Sequence, residues 1–205
     1  MENNFLIETF EPDSFCFSKP KQHKTAQIKI VKIKNKIKEP VFIQFPKMKA
    51  VSDYTNCMEI EFTSESGYSK RVITFMERLD AFIVEHIVGK SMDWFGKSIP
   101  RENIDSMYRH SVNDKRIKIV FEKSRSHLIN KQNEQITFDE IVKENVIEAI
   151  CMLKYIVFTK DTCFLHWEVG KAKLYKKIQQ KEHFAFIEDP EDESEDEFQE
   201  SITFF

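Results

Sequence analysis

The chain has 205 residues, 41% of them hydrophobic, with four Gly and six Pro, a composition that supports a packed core and excludes collagen-like and low-complexity classes. Its 31 Lys and Arg stand against 34 Asp and Glu, but nine of the acids fall in residues 188–205, which contain no basic residue, so residues 1–187 carry 31 basic against 25 acidic side chains. A basic body joined to an acidic end points to a protein that binds a polyanion and regulates that binding from within.

In chain order, residues 1–20 place Phe5, Phe10, Phe15 and Phe17 among polar residues without a clear period, and one irregular strand is expected there. Residues 26–38 alternate apolar and basic residues with a phase change between Ile30 and Val31. That change puts Ile28 and Ile30 on one face and Val31, Ile33 and Ile37 on the other, which predicts a β-bulge in a long, bent, lysine-faced strand. Residues 41–45 read as a short strand stopped by Pro46, and Met58, Ile60 and Phe62 alternate with Glu59 and Glu61 in another. Val72, Phe75, Met76, Leu79, Phe82, Ile83 and Ile87 recur at three- and four-residue steps, which predicts a helix over 72–87 ended by Gly89. Ile117, Ile119 and Phe121 give a strand, and Phe138, Ile141, Val142 and Asn145 a short second helix or an extended connection. Residues 150–158 and 164–175 are apolar-rich runs around the Thr159-Lys160-Asp161-Thr162 segment, the pattern of a hairpin. The expected class is mainly β with inserted helices, a small barrel or a mixed sheet with one clear amphipathic helix.

The chemistry-bearing motifs of enzymes are missing from the sequence. There is no Gly-rich phosphate loop, no Gly-x-Ser-x-Gly and no His-Glu-x-x-His. The six histidines are scattered: His86 reads as a packed side chain of the helix, and His166 alternates with Trp167 across a strand. Cys16, Cys57, Cys151 and Cys163 show no metal or disulfide spacing and are expected to be reduced thiols. No enzyme, cofactor or metal is therefore expected. No run approaches the roughly eighteen apolar residues of a membrane helix, and Glu2 and Glu8 occupy the start of the chain, so a soluble intracellular protein without membrane association is expected.

Lysines interleaved with aromatic residues are more informative, because a single nucleic-acid strand is held by cations along its phosphates and by rings stacked on unpaired bases. Lys29, Lys32, Lys34, Lys36, Lys38, Lys47 and Lys49 surround Phe42 and Phe45, and Lys171, Lys173, Lys176 and Lys177 follow Trp167 beside Tyr175. The competing account has lysines decorating solvent faces while Phe fills the core. Residues 91–97 follow the expected helix stop, where a loop presents Trp94 and Phe95 beside Lys97; the same residues also suit an apolar plug between helix and sheet. Trp167 and Trp94 are the first candidates for base stacking, with Phe42, Phe45 and Tyr54 behind them.

The segments Pro-Val-Phe-Ile-Gln-Phe-Pro-Lys-Met-Lys-Ala at 40–50, Trp94-Phe95-Gly96-Lys97, residues 153–158 and residues 167–173 together resemble the predicted single-stranded DNA-binding proteins of nucleo-cytoplasmic large DNA viruses. That family is similar in turn to the single-stranded DNA-binding protein of short-tailed coliphages. The resemblance implies an OB-fold-like barrel over residues 1–187 with an inserted helix, followed by a disordered acidic tail over 188–205 that ends on Phe. It further implies sequence-independent binding of single-stranded DNA in viral replication, recombination or repair, at replication sites in the host cytoplasm or nucleus. In such a protein the tail, through Glu191, Asp192, Glu193, Glu195, Asp196, Glu197, Phe204 and Phe205, competes with DNA for the basic groove and contacts replication proteins such as polymerase or helicase, and homodimers are common. Ile202 makes the tip more apolar than backbone mimicry needs, which suits a docking peptide. Two other classes remain open: a virion or transcription-associated interaction protein without nucleic-acid binding, and a nuclease built on Asp53, Glu59 and Glu61, although alternation with Met58, Ile60 and Phe62 makes the two glutamates a solvated strand face.

Overall fold

Strand periodicity in this chain shifts phase at bulges near Pro46, Lys154 and Gly170, and these bend the strands. A computed structural model describes residues 14–23, 26–63 and 66–175. The elements run β1 (Phe15–Phe17), β2 (Lys21–Gln22), β3 (Lys29–Asn35), β4 (Val41–Ala50), β5 (Cys57–Glu61), α1 (Gly67–Phe95), α2 (Arg101–Met107), β6 (Tyr108–Arg109), β7 (Val112–Asn113), β8 (Arg116–Val120), β9 (His127–Ile129), a 3-10 turn at Phe138–Glu140, β10 (Val146–Phe158) and β11 (Cys163–Tyr175). Phe5, Phe10 and the acidic residues 188–205 lie outside the described residues.

Five strands close into a ring. β4 pairs with β5, β5 with β8, β8 with β11, β11 with β10, and β10 returns to β4; every contact is antiparallel except β8 with β11. This is the five-stranded Greek-key barrel of the OB type, with α1 and α2 inserted between its second and third strands. The expectation of a mainly β, OB-like barrel with one long helix therefore holds. β10 and β11 pair along nearly their whole lengths through the Thr159–Thr162 turn, where Thr159 N donates to Thr162 O at 2.8 Å. Two bulges bend them: Lys154 is the extra residue between the Leu153–Trp167 and Tyr155–His166 pairs, and Gly170 the extra residue between Lys171 and Val169.

The barrel interior is filled by Val41, Ile43, Phe45, Met48, Met58, Ile60, Ile117, Ile119, Ile147, Cys151, Leu153 and Trp167, each less than 2% exposed. β4 does not stop at Pro46. Val41, Ile43 and Phe45 point inward, then Pro46, Met48 and Ala50 do, because a bulge opposite Glu148 shifts the phase by one residue. A proline fits there because the missing N–H leaves no ladder bond broken. No bulge interrupts β3 at Ile30 and Val31: its pairs with β10 are continuous from Lys29 to Lys32, with Val31 and Ile33 buried on one face and Ile30 half-buried on the other. Ile37 does not share the buried face, since the strand ends at Asn35 and Ile37 is 70% exposed.

The helix is longer than its apolar period predicts. Ser66 caps its start by accepting from Ser69 N at 3.2 Å. Gly89 lies within it, and the helix continues because Ile87 and Ser91 on either side are buried. It ends at Gly96, in the left-handed conformation at φ 72°, whose N–H donates to Met92 O at 2.9 Å. Asp80, 2% exposed in the middle of α1, accepts from Tyr108 Oη at 2.8 Å and from Ser111 N and Oγ at 2.7 Å each, tying the helix to the chain around β6. Burial pushes its carboxyl up and the Ser111 and Tyr108 hydrogen bonds pull it back. No helix among the described residues is long and apolar enough to cross a membrane.

The two helix glycines predict opposite outcomes. A Cβ at Gly89 meets nothing within 4 Å, so Gly89→Ala should raise stability by about 1 kcal/mol. Gly96→Ala should lower it by about 1 kcal/mol, because the φ of 72° disfavours a side chain even though space is open. Urea unfolding followed by circular dichroism measures both, and a helix that truly ended at Gly89 would show no gain there.

Candidate nucleic-acid interface

The bulges decide which side chains leave the barrel. On β11, Phe164, His166 and Glu168 face outward, and after the Gly170 bulge Lys171, Lys173 and Tyr175 do. Beside them on β4 and β10 stand Phe42, Gln44, Ile150 and Glu148. The Phe42 ring reaches over β10 toward Gly170, where an added Cβ would lie 3.8 Å from Phe42 Cε1 and 3.6 Å from Ile150 O. Both are ordinary contact distances, and Phe42 rests half-buried over this bulge. Lys47 Nζ sits 4.4 Å from the Tyr175 ring centroid, a cation–π contact, and Tyr175 Oη donates to Glu148 Oε2 at 2.9 Å. Burial first, and that hydrogen bond second, raise the Tyr175 pKa.

A small cleft of about 170 Å³ opens where the edge of β10 changes partner, from Val41 of β4 at Leu153 to Lys32 of β3 at Tyr155. Lys32, Lys34, Lys154 and Tyr155 line it. Lys154 is anchored to Glu168, whose side chain is 5% exposed and also meets Arg125 Nε at 3.3 Å. His166 Nε2 lies 3.9 Å from the same carboxylate, and burial lowers its pKa against that attraction.

A larger cleft of about 320 Å³ lies beyond the hairpin turn. It brings Lys29 of β3, Phe95 and Lys97 at the end of α1, and Lys160 of the turn onto one surface with Gln22 and Gln27. Lys29 Nζ stands 5.6 Å from the Phe95 centroid. Trp94 and Phe95 are therefore on the last turn of a helix, not in a loop, and both are half-buried. Trp94 packs behind the cleft, 6.2 Å from Phe95 and 6.4 Å from Phe158. His86 is packed as expected, stacked on Phe17 with centroids 4.1 Å apart, and burial lowers its pKa.

Lys29, Phe95 and Lys97 thus converge on the larger cleft, Lys32 and Lys34 on the smaller, and Phe42, Lys47, Lys171 and Lys173 on the outer sheet. Five candidates do not join them: Trp94, which packs behind the larger cleft without lining it, and four others. Trp167 is 1% exposed and Phe45 fully buried, with rings 5.7 Å apart in the core, so neither offers a face to a base. Lys49 is held by Glu61 at 3.3 Å and Glu144 at 3.5 Å, and the Glu61 hydrogen bond, with Glu144 attraction behind it, raises its pKa. Tyr54 packs on Phe121 and Phe138 near the other end of β10, where its N–H donates to Ile141 O. Lys160, Gln22, Gln27, Lys154 and Tyr155 escaped the sequence reading; only Lys160, a cation in the predicted hairpin turn, carried a local signal.

The barrel's opposite wall is different in kind. On β5 and β8, Glu59 stands across from Lys118 and Glu61 across from Arg116; Arg116 Nη1 lies 3.6 Å from Glu59, and Lys49 serves Glu61. Its charges cancel and it presents no aromatic ring outward. Among the described residues no three His, Cys, Asp or Glu side chains are grouped to hold a metal ion.

Residues 51–188 match the profile of the Family of unknown function (DUF5871), and the chain belongs to that family. No curated protein sequence matches it. Among solved structures it is similar to gp2.5, a single-stranded DNA-binding protein encoded by bacteriophage T7, at 9% identity over 81% of this chain and 99% of that one, with a TM-score of 0.48. It is also similar to the single-stranded DNA-binding protein from bacteriophage Enc34, at 11% identity over 78% and 91% with a TM-score of 0.39, and to the same protein in complex with single-stranded DNA, at 10% identity over 78% and 95% with a TM-score of 0.42. The barrel assignment here rests on strand pairing, independently of these overlays.

The two tryptophans should separate in solution. In Trp94→Phe, the remaining Trp167 should emit at short wavelength and resist acrylamide quenching, whereas the wild type should show a quenchable fraction from Trp94. Strong quenching in Trp94→Phe would place Trp167 outside the core.

Proposed function

We propose that this protein binds single-stranded DNA without strong sequence preference and performs no chemistry on it. The observation that carries the reading is the asymmetry of the barrel: lysines and half-exposed rings gather on the β3–β4–β10–β11 side, while the β5–β8 wall neutralises itself. Lysines supply the phosphate attraction, and Phe42, Tyr155 and Tyr175 supply faces for unstacked bases. The sequence resemblance to single-stranded DNA-binding proteins of large DNA viruses supports a role in replication, recombination or repair. In this reading residues 1–187 form the binding unit, and the nine acids of residues 188–205 compete for its lysines and present Ile202, Phe204 and Phe205 to replication proteins.

Gel-shift titration with oligo-dT across salt concentrations tests it. Log affinity should fall linearly with log salt, by about 0.7 per phosphate neutralised. Lys171→Ala should weaken binding severalfold and make that slope shallower by about 0.7, whereas Lys49→Ala should change little because its charge is already shared with Glu61 and Glu144. Deleting residues 188–205 should raise affinity at low salt; an unchanged or weaker affinity removes the competition from the account. A folded protein that binds no oligonucleotide at low salt but holds a protein partner would be an interaction protein instead.

A further inference from the structure

The larger cleft differs from the sheet face in shape and composition, and it goes beyond the strand-binding reading. Its volume of about 320 Å³ falls at the lower end of pockets that take small organic ligands, about 300–1,000 Å³. Its floor is apolar, built from Phe95, Ile99, Ile104, Met107 and Phe158. Its rim carries Lys29, Lys97 and Lys160, and no carboxylate lines it among the described residues. Gln22 and Gln27 add amides, which both donate and accept as the edges of a base require.

We infer that this cleft is a pocket for one nucleoside monophosphate unit, with the base against the Phe95 ring and the phosphate among Lys29, Lys97 and Lys160. Each part of the cleft matches a part of that ligand. An isolated phosphate would use the lysines and leave the apolar floor empty; a nucleoside would use the floor and leave three cations without a counter-charge. Only the joined unit satisfies both, so its affinity should exceed that of either piece. The three lysines come from segments far apart in sequence, which fixes their spacing by the fold rather than by one flexible loop. Trp94, edge-on to Phe95 and Phe158 behind the wall, is a built-in reporter of occupancy.

The test is calorimetric titration of the full chain with thymidine 5′-monophosphate, thymidine and inorganic phosphate, with Trp94 emission followed in parallel. Saturable binding is expected for the monophosphate, with the other two weaker by about tenfold or more, since each loses one half of the contacts. The Lys97→Ala, Lys160→Ala double variant should lose most of this binding, and Lys171→Ala, Lys173→Ala should keep it. Equal binding of inorganic phosphate, an undiminished double variant or no saturable binding would each overturn the inference. Oligo-dT binding of the same proteins separates the two claims. If oligo-dT binds and the monophosphate does not, this inference fails and the strand-binding reading stands; the reverse result leaves the pocket and removes the strand.

Discussion

The pairing of β10 with β11 is the interaction on which the other elements depend. Each strand has 13 residues, too long to stay flat against a small core, and the bulges at Lys154 and Gly170 supply the bend. Along one edge of β10 lie first β4 and then β3; along the outer edge of β11 lie β6, β8 and β9 in turn. Short strands that could not stand alone are thereby seated on one hairpin. The bulges also determine which residues face out, so the same geometry that closes the barrel exposes Lys171 and Lys173 and gives Phe42 its seat on Gly170.

Charge is distributed over this scaffold by local neutralisation. Exposed ion pairs contribute little to stability, about 0–1 kcal/mol each, so Glu59 with Arg116 and Glu61 with Lys49 matter less for holding the barrel than for what they remove from its surface. They leave the β5–β8 wall without a net field. Glu148 and Glu168 do something else on the basic side. Glu148 accepts from Gln44 and Tyr175, and Glu168 gathers Lys154 and Arg125, so both hold neighbouring groups in place within a lysine-rich surface.

Much of the fold was legible because the hydrophobic period tracks burial closely. Met58, Ile60, Ile117 and Ile119 alternate in sequence and are buried in the barrel, and the three- and four-residue steps from Val72 to Ile87 are, apart from the half-buried Phe82, the buried stripe of α1. Errors arose where tertiary packing overrode a local rule. Gly89 does not stop a helix whose flanks are buried, and Pro46 does not stop a strand that bulges beneath it. The candidate site was less legible, since proximity of Lys29 to Phe95 or of Lys49 to Glu144 is set by the fold and leaves no trace in local spacing. Trp167 is instructive: the alternation of Leu165, Trp167 and Val169 with His166 marks it as inward, and the strand period rather than the neighbouring lysines decides its place.

Asp80 gives the helix a mechanical character. The hydrogen bonds from Tyr108 and Ser111 pin α1 near its middle, and Phe95, the wall of the larger cleft, lies 15 residues further on, about 22 Å along the axis at 1.5 Å per residue. The second half of α1 is thus a lever with its fulcrum at a buried carboxylate. Each degree of tilt about that fulcrum carries the Phe95 end through about 0.4 Å, a distance comparable to the tolerance of a stacking contact. The gauge of the cleft is therefore held in part by a knot of three hydrogen bonds at Asp80, whose partner Tyr108 pairs in turn with Cys163 in the cleft lining.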